Sequence, residues 1–164
     1  MHLSAAQRRL VLRHPAGWIA SGFGTGLSPV APGTVGSAVA LLPWLWLREL
    51  PLSVYIVVVL AAFVLGVWVS HVLVARLRAE DPGWIVIDEF VGQWLALMFA
   101  PRGWIWVFAG FLLFRLFDIW KPWPVSWADR NVDGGLGVML DDALAGLLAA
   151  AALAALAALA TLLG

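Results

Sequence analysis

Acidic side chains are concentrated in one polar stretch near the C-terminus, residues 114–142, which reads FRLFDIWKPWPVSWADRNVDGGLGVMLDD. It holds half of the ten acidic residues in the chain, and a second acidic pair, Asp88 and Glu89, lies inside an apolar segment. With no cysteine and only three histidines, this set of oxygen ligands favours Mg²⁺ or Mn²⁺ over zinc or copper. The charged residues of the stretch are Asp118, Asp129, Asp133, Asp141, Asp142, Arg115, Lys121 and Arg130.

Buried carboxylates of this kind need a partner, because a charge at helix depth in a bilayer costs at least ~2.5 kcal/mol. The alternative to a functional role is purely structural: the acidic pair, Asp88 and Glu89, would only form ion pairs inside the bundle, with Arg115 or Lys121. Arg115 and Asp118, three residues apart on one helix face, can form an ion pair, which is the purely structural account of these two charges. Such a pair contributes only a few tenths of a kcal/mol, too little to explain two charges in so apolar a segment.

Cations and backbone amides near these acids would suit a phosphate group. Arg115, Lys121 and Arg130 can bind phosphate oxygens, and the glycine-rich stretch 17–34 can offer amides and the start of a helix at Thr34. Mg²⁺ commonly shares its ligand shell with a substrate phosphate. We therefore expect phosphoryl chemistry on an amphiphilic substrate.

The composition places the chain in a membrane. It has 164 residues, of which 63% are hydrophobic and 12% charged, and its mean hydropathy is +0.93. A single soluble domain of this length could not cover so much apolar surface, so we expect one membrane domain over residues 1–164. The net charge is zero and there is no basic run, which argues against a nucleic-acid partner. The arginine-bearing N-terminus is not expected to be a removable signal peptide.

Apolar segments predict an all-α membrane bundle of about four to five helices. Residues 17–34 are expected to be a loop at the membrane surface, with Thr34 as the N-cap of the first segment. Asp141 and Asp142 are expected to begin the last segment. A carboxylate interacts favourably with a helix N-terminus, which would explain the presence of one of them without a functional role. Of the two, Asp142 is predicted to face the bundle. The predicted segments are 35–50, 52–75, 84–100, 104–120 and 141–163.

The distribution of cations predicts an orientation. If all five segments cross and the N-terminus is cytoplasmic, the outer side receives only Arg48 and Arg102, as the positive-inside rule requires. The loop 22–34, the pair Asp88–Glu89, the stretch 115–133 and the pair Asp141–Asp142 then converge on the cytoplasmic face. The inner side receives Arg8, Arg9, Arg13, Arg76, Arg78, Lys121 and Arg130.

Three motifs resemble the bacterial phosphatidylglycerophosphatase A family. They are GFGTGLSPVAPGTVGS (22–37), IDEFVGQW (87–94) and the stretch 114–142 with the AG that follows it, and the similarity runs from about residue 17 to 147. The resemblance implies an all-helical, Mg²⁺-dependent inner-membrane phosphatase that converts phosphatidylglycerophosphate to phosphatidylglycerol. The polar positions that match the family are Asp88, Glu89, Asp118, Lys121, Asp129, Arg130, Asp141 and Asp142.

Within this resemblance we assign roles to individual residues. Arg115, Lys121, Arg130, Thr34 and Ser28 are predicted to bind the substrate phosphate. Attack by water on phosphorus is the expected reaction, with a covalent aspartyl-phosphate as the rival. The carboxylates predicted to hold Mg²⁺ and act in catalysis are Asp88, Glu89, Asp118 and Asp142, with Asp129 and Asp141 as alternative ligands.

Two functions from other classes compete with this reading. A small cation transporter or channel subunit would place intramembrane acids along an ion path through the bundle. A structural membrane scaffold is a third possibility. The sequence leaves the oligomeric state open, while membrane lipids are expected partners.

Overall fold

The computed structural model describes residues 5–77 and 83–163, and in these ranges the chain is all-helical, as predicted. Arg78, which we counted among the inner cations, lies outside the described residues. A short 3₁₀ turn, Thr25–Leu27, precedes the first long helix. The helices are α1 (Ala5–Arg13), α2 (Pro15–Ala20), α3 (Pro32–Leu47), α4 (Leu52–Leu77), α5 (Ile87–Ala96), α6 (Trp104–Trp120), α7 (Val125–Asn131) and α8 (Gly134–Leu163).

Two helices of the described part are long and apolar enough to cross a membrane, Leu52–Arg76 of α4 and Gly134–Leu163 of α8. Only 22% and 28% of their apolar windows are buried by protein, so most of each apolar surface lies outside the protein core, as expected of a membrane helix. The helices α3 and α6 have 16 and 17 residues. The predicted number of four to five spans is therefore not confirmed.

The predicted third segment, 84–100, is helical only over α5, which is a core helix of ten residues. At 1.5 Å per residue it is about 15 Å long, half the thickness of a bilayer core. It packs against α3, α4, α6 and α8, and seven of its residues are buried. Neighbouring helices hold it by hydrogen bonds: the Trp94 indole donates to the Ala40 carbonyl (2.9 Å), and the Tyr55 hydroxyl donates to the Trp94 carbonyl (2.6 Å).

Two helix starts differ from the prediction. Thr34 is not an N-cap, because α3 already begins at Pro32 and Ala31 takes the cap position with a φ of 44°. Proline suits a first helical position, since its missing N–H would be unpaired there. Likewise, α8 begins at Gly134 rather than at Asp141, so its acidic pair lies two turns inside the helix. The helix-terminus explanation for these acids is therefore wrong, because that effect fades within the first turn.

The glycine-rich segment 22–31 packs against the chain that leads into α5. Val86 N–H donates to the Ala20 carbonyl at 2.8 Å. A Cβ on Gly26 would lie 2.1 Å from the Trp84 carbonyl oxygen, so only glycine permits this close approach. Within the predicted loop 17–34, the structure contains the end of α2, the 3₁₀ turn and the start of α3. The segment supports the start of the core helix that carries the acidic pair.

Candidate active site

A polar cavity of about 610 Å³ lies where α4 and α6 end and where α5 and α8 begin. Among the described residues, its lining contains seven carboxylates and one ammonium group, that of Lys121. So much negative charge in a partly buried site favours a bound cation. The acidic lining residues are Asp88, Glu89, Asp118, Asp129, Asp133, Asp141 and Asp142.

Three of these acids can reach one metal ion. Asp88, Glu89 and Asp142 each offer a carboxylate oxygen within 4.8 Å of the other two. Glu89 Oε2 and Asp142 Oδ2 are buried and accept no hydrogen bond from any described residue. Buried carboxylate oxygens without a partner are costly, and hard oxygen donors suit Mg²⁺. The donor set therefore fits a divalent cation of this kind.

A close helix crossing brings the three acids together. Gly92 follows Asp88 by four residues on α5, and Gly146 follows Asp142 by four residues on α8. A Cβ on Gly146 would lie 2.3 Å from the Gly92 carbonyl oxygen, and a Cβ on Gly92 would lie 2.7 Å from the Asp142 carbonyl oxygen. Residues i and i+4 share a helix face, so each glycine lies on the same face as the acid one turn before it. The contact between Gly92 and Gly146 therefore places Asp88 and Asp142 beside each other.

The acidic pair of α5 also has a favourable local setting. Asp88 and Glu89 occupy the first turn of the helix, where the unpaired N–H groups favour negative charge. The Glu89 N–H donates to Asp88 Oδ1 at 3.0 Å. Both side chains are half-buried and line the cavity. The start of α5 thus stabilises two carboxylates at the cavity wall.

Arg115 holds the carboxylates from behind the cavity. Its Nη1 lies 2.6 Å from Asp118 Oδ2, forming the ion pair that their spacing allows, and 3.9 Å from Glu89 Oε1. The same nitrogen donates to Ser37 Oγ at 3.3 Å. Arg115 is not among the residues that line the cavity, although we predicted it to bind phosphate. In this position the guanidinium orients Glu89 and Asp118.

Lys121 lies between two further carboxylates at the cavity wall. Its ammonium group donates to Asp129 Oδ1 and, at 2.7 Å, to Asp141 Oδ2. Burial lowers the pKa of Lys121, but these two hydrogen bonds outweigh burial and the pKa is raised above its ordinary value. The adjacent acids on α8 therefore have different partners: Asp141 pairs with Lys121, while Asp142 joins Asp88 and Glu89.

The other predicted phosphate ligands lie outside the cavity lining. Arg130 is exposed in the last turn of α7. Ser28 Oγ donates to the Val30 carbonyl at 2.8 Å, within its own turn. Thr34 is half-buried in the first turn of α3. Asp133, which its sequence context also allows as a turn residue, is exposed but does line the cavity.

Three residues near the acids were not predicted. Ser37 is fully buried and accepts from Arg115. Gly33 lies one turn earlier on α3, and a Cβ there would stand 2.2 Å from Glu89 Oε1. Gln93 is fully buried one turn after Glu89, and its amide has no hydrogen-bond partner in the described ranges. The spacing of four residues in PGTVGS and in DEFVGQ is the signal that could have identified them.

Comparison with known proteins identifies relatives over most of the chain. The family model for phosphatidylglycerophosphatase A matches residues 18–157. A phosphatidylglycerophosphatase A of Escherichia coli (strain K12) is 45% identical over 153 residues, which cover 93% of this chain and 89% of the relative. A phosphatidylglycerophosphatase A of Haemophilus influenzae (strain Rd) is 38% identical over 144 residues, 87% of this chain and 88% of the relative.

A third relative carries a different name. This protein, from Bacteroides thetaiotaomicron, is provisionally named a phosphatidylinositol-3-phosphatase, and it is 43% identical over 137 residues, 79% of this chain and 85% of its own. No solved structure matches the chain. The family match includes the core helix, the acidic cluster and the polar stretch. The chain therefore belongs to the phosphatidylglycerophosphatase A family.

Proposed function

We propose that this protein hydrolyses the terminal phosphomonoester of phosphatidylglycerophosphate, releasing phosphatidylglycerol and inorganic phosphate. Family membership supports the reaction. The structural observation that carries the proposal is the group formed by Asp88, Glu89 and Asp142, three carboxylates within reach of one cation at a cavity wall. Such a group serves phosphoryl transfer, in which catalysis consists mainly of positioning and charge stabilisation.

The proposed cofactor is Mg²⁺, held by Asp88, Glu89 and Asp142, with Asp118 lining the same cavity. When bound, it would place positive charge against the phosphoryl oxygens as negative charge develops there. The protein's own contribution is positional. Arg115 fixes Asp118 and Glu89 at distances of 2.6 and 3.9 Å from its Nη1.

Lys121 is the proposed cationic ligand of the substrate phosphate. It lines the cavity, whereas Arg115 does not, and its two carboxylate partners hold the ammonium at the wall. Water would attack phosphorus as the bond from phosphorus to the glycerol oxygen breaks. A cavity carboxylate would accept the proton of the water, with Asp129 and Asp141 available beside Lys121, and the released glycerol oxygen would take up a proton. Borohydride added during turnover separates this route from an aspartyl-phosphate, because it would reduce the acyl phosphate to homoserine in the protein.

We further propose a multi-pass protein of the bacterial inner membrane with the cavity facing the cytoplasm. The bias of cations toward one side supports this orientation. The cavity also lies at a single end of the bundle, between the last turn of α6 and the first turns of α8. That end would meet lipid headgroups and cytoplasmic Mg²⁺.

Phosphate release from the purified protein tests the proposal. Wild-type protein in mixed micelles should release phosphate from phosphatidylglycerophosphate with Mg²⁺ and lose this activity with a chelator. Asp88→Asn should remove turnover in a folded protein. Glu49→Gln is the matched control, since Glu49 is an exposed acid next to Arg48 and outside the cavity.

Phosphatidylinositol 3-phosphate belongs in the same assay because of the name of the Bacteroides relative. Preference for phosphatidylglycerophosphate supports the proposal, and preference for the inositol lipid would reassign the substrate. If a folded sample releases phosphate from neither lipid in a metal-dependent way, the proposed function is overturned. A cation transporter is not favoured, because α4 has no acidic residue and the described acids of α8 lie only near its start.

A further inference from the structure

A second groove lies directly beside the polar cavity, between α7 and α8. It has a volume of about 370 Å³, and only apolar residues line it. On one side are Trp123, Pro124 and Trp127, and on the other are Leu140 and Leu144 of α8. Trp123 is 79% exposed and Trp127 51% exposed, so these indoles are not part of the protein core.

The groove and the cavity share the same two walls. On α8, Leu140 faces the groove and the next residue, Asp141, faces the cavity. On α7, Trp127 faces the groove and Asp129 faces the cavity. Residues two apart on a helix point about 200° away from each other, so α7 stands between an apolar compartment and a polar one.

The connection at the start of α7 brings the two compartments together. Lys121 lines the cavity and Trp123 lines the groove, and two residues of chain span at most about 7 Å. Lys121 has a left-handed backbone (φ 50°) that ends α6, so the chain turns at this point. A molecule with a phosphate at Lys121 could therefore extend over the turn into the groove.

We propose that this groove holds an acyl chain of the lipid substrate whose terminal phosphate lies in the cavity. The inference rests on the proposed function and adds a binding site to it. Its occupant is a fatty acyl chain, because the lining offers no hydrogen-bonding group except the indole N–H groups and two leucines lie side by side at i and i+4. The groove makes a long-chain lipid a better substrate than a short-chain analogue with the same headgroup.

The test compares dioleoyl with dihexanoyl phosphatidylglycerophosphate. In the Trp123→Ala/Trp127→Ala double variant, the ratio of kcat/KM for the long-chain to the short-chain lipid should fall about tenfold. The fall should come from a higher KM for the dioleoyl lipid, with little change in kcat. Trp123→Phe/Trp127→Phe should restore much of the ratio, because an aromatic wall is retained.

A matched control exists on a different helix, α4. Trp68 lines an apolar groove on α4 together with Val57, Leu60, Ala61, Val64 and Leu65, and it is 58% exposed. Trp68→Ala should leave the chain-length ratio unchanged. An unchanged ratio in the double variant, or an equal fall in Trp68→Ala, would overturn the inference. Failure of the wild type to release phosphate from either lipid would instead overturn the proposed function on which it rests.

Discussion

Gly146 of α8 lies against the backbone of Gly92 on α5, where a Cβ at position 146 would stand only 2.3 Å from the Gly92 carbonyl oxygen. Neither backbone can move aside as a flexible side chain would. The contact lies one turn from Asp88 and one turn from Asp142, so it determines how closely their carboxylates approach. The geometry of the acidic cluster therefore depends on two residues that have no side chain.

Gly146→Ala is expected to separate the two helices. Overpacking of a close contact lowers the free energy of unfolding by about 1–3 kcal/mol. The separated carboxylates should no longer be able to bind the same cation. We expect phosphatase activity to fall at least about tenfold, since small misplacements in a site cost this much or more. The control is Leu147→Ala at the neighbouring, exposed position of α8. Wild-type activity in Gly146→Ala would show that the crossing tolerates a methyl group.

Gly33→Ala should act on the Glu89 side chain and on its partner Arg115, whose Nη1 would lie 3.3 Å from the added Cβ. The added Cβ would stand 2.2 Å from Glu89 Oε1, which is the end of a side chain and can be displaced without moving the helix. We expect a higher Mg²⁺ concentration for half-maximal activity and a melting temperature close to wild type. Ala38→Val, which adds methyl groups at an exposed position of α3, is the control. A large loss of thermal stability would contradict this prediction.

Arg115→Met should leave Asp118 and Glu89 without their cationic partner. Removal of one partner from a buried ion pair typically costs about 3–5 kcal/mol, so both melting temperature and activity should fall. Arg115→Lys should recover only part of the loss, because the lysine side chain is one atom shorter and its ammonium group falls short of the position of Nη1, the atom that contacts Asp118, Glu89 and Ser37. The exposed Arg102→Met is the control. Full activity in Arg115→Met would remove this residue from the positioning role.

Metal binding should be visible without turnover. A ligand that binds only the folded protein at a concentration 100 times its Kd stabilises it by about 2.7 kcal/mol, so Mg²⁺ should raise the melting temperature of the wild type. Asp142→Asn should lose this shift, whereas Glu49→Gln should keep it. If Mg²⁺ stabilised Asp142→Asn as much as the wild type, Asp142 would not be a ligand.

The contribution of Lys121 to stability should not depend on pH near neutrality. Its pKa is raised in the folded protein, so the contribution is fully present below the unfolded pKa of about 10.4 and is lost only as pH rises through the higher folded value. The difference in melting temperature between wild type and Lys121→Met should therefore stay constant from about pH 7 to about pH 9. A difference that narrows over this range would contradict the raised pKa.

Features that depend on local spacing could be predicted from the sequence. The apolar segments indicated a helical membrane protein, and the separation of three residues between Arg115 and Asp118 indicated that they could form an ion pair. Neighbouring residues on a helix point about 100° apart, which is why Asp141 and Asp142 were expected to differ in orientation. These inferences hold because helix geometry relates nearby residues in the same way in every protein.

Features that depend on packing between distant segments were decided by the tertiary structure. The first turn of α8 packs closely against α4, since a Cβ on Gly135 would lie 2.2 Å from the Val67 carbonyl oxygen. The enclosure of α5 depends on the four helices around it. Membrane helices pack through van der Waals contact and small residues rather than through an apolar stripe, so hydropathy identifies the helices but not their neighbours. The sequence alone thus determined which polar residues were candidates for the site, and tertiary packing decided which of them line one cavity.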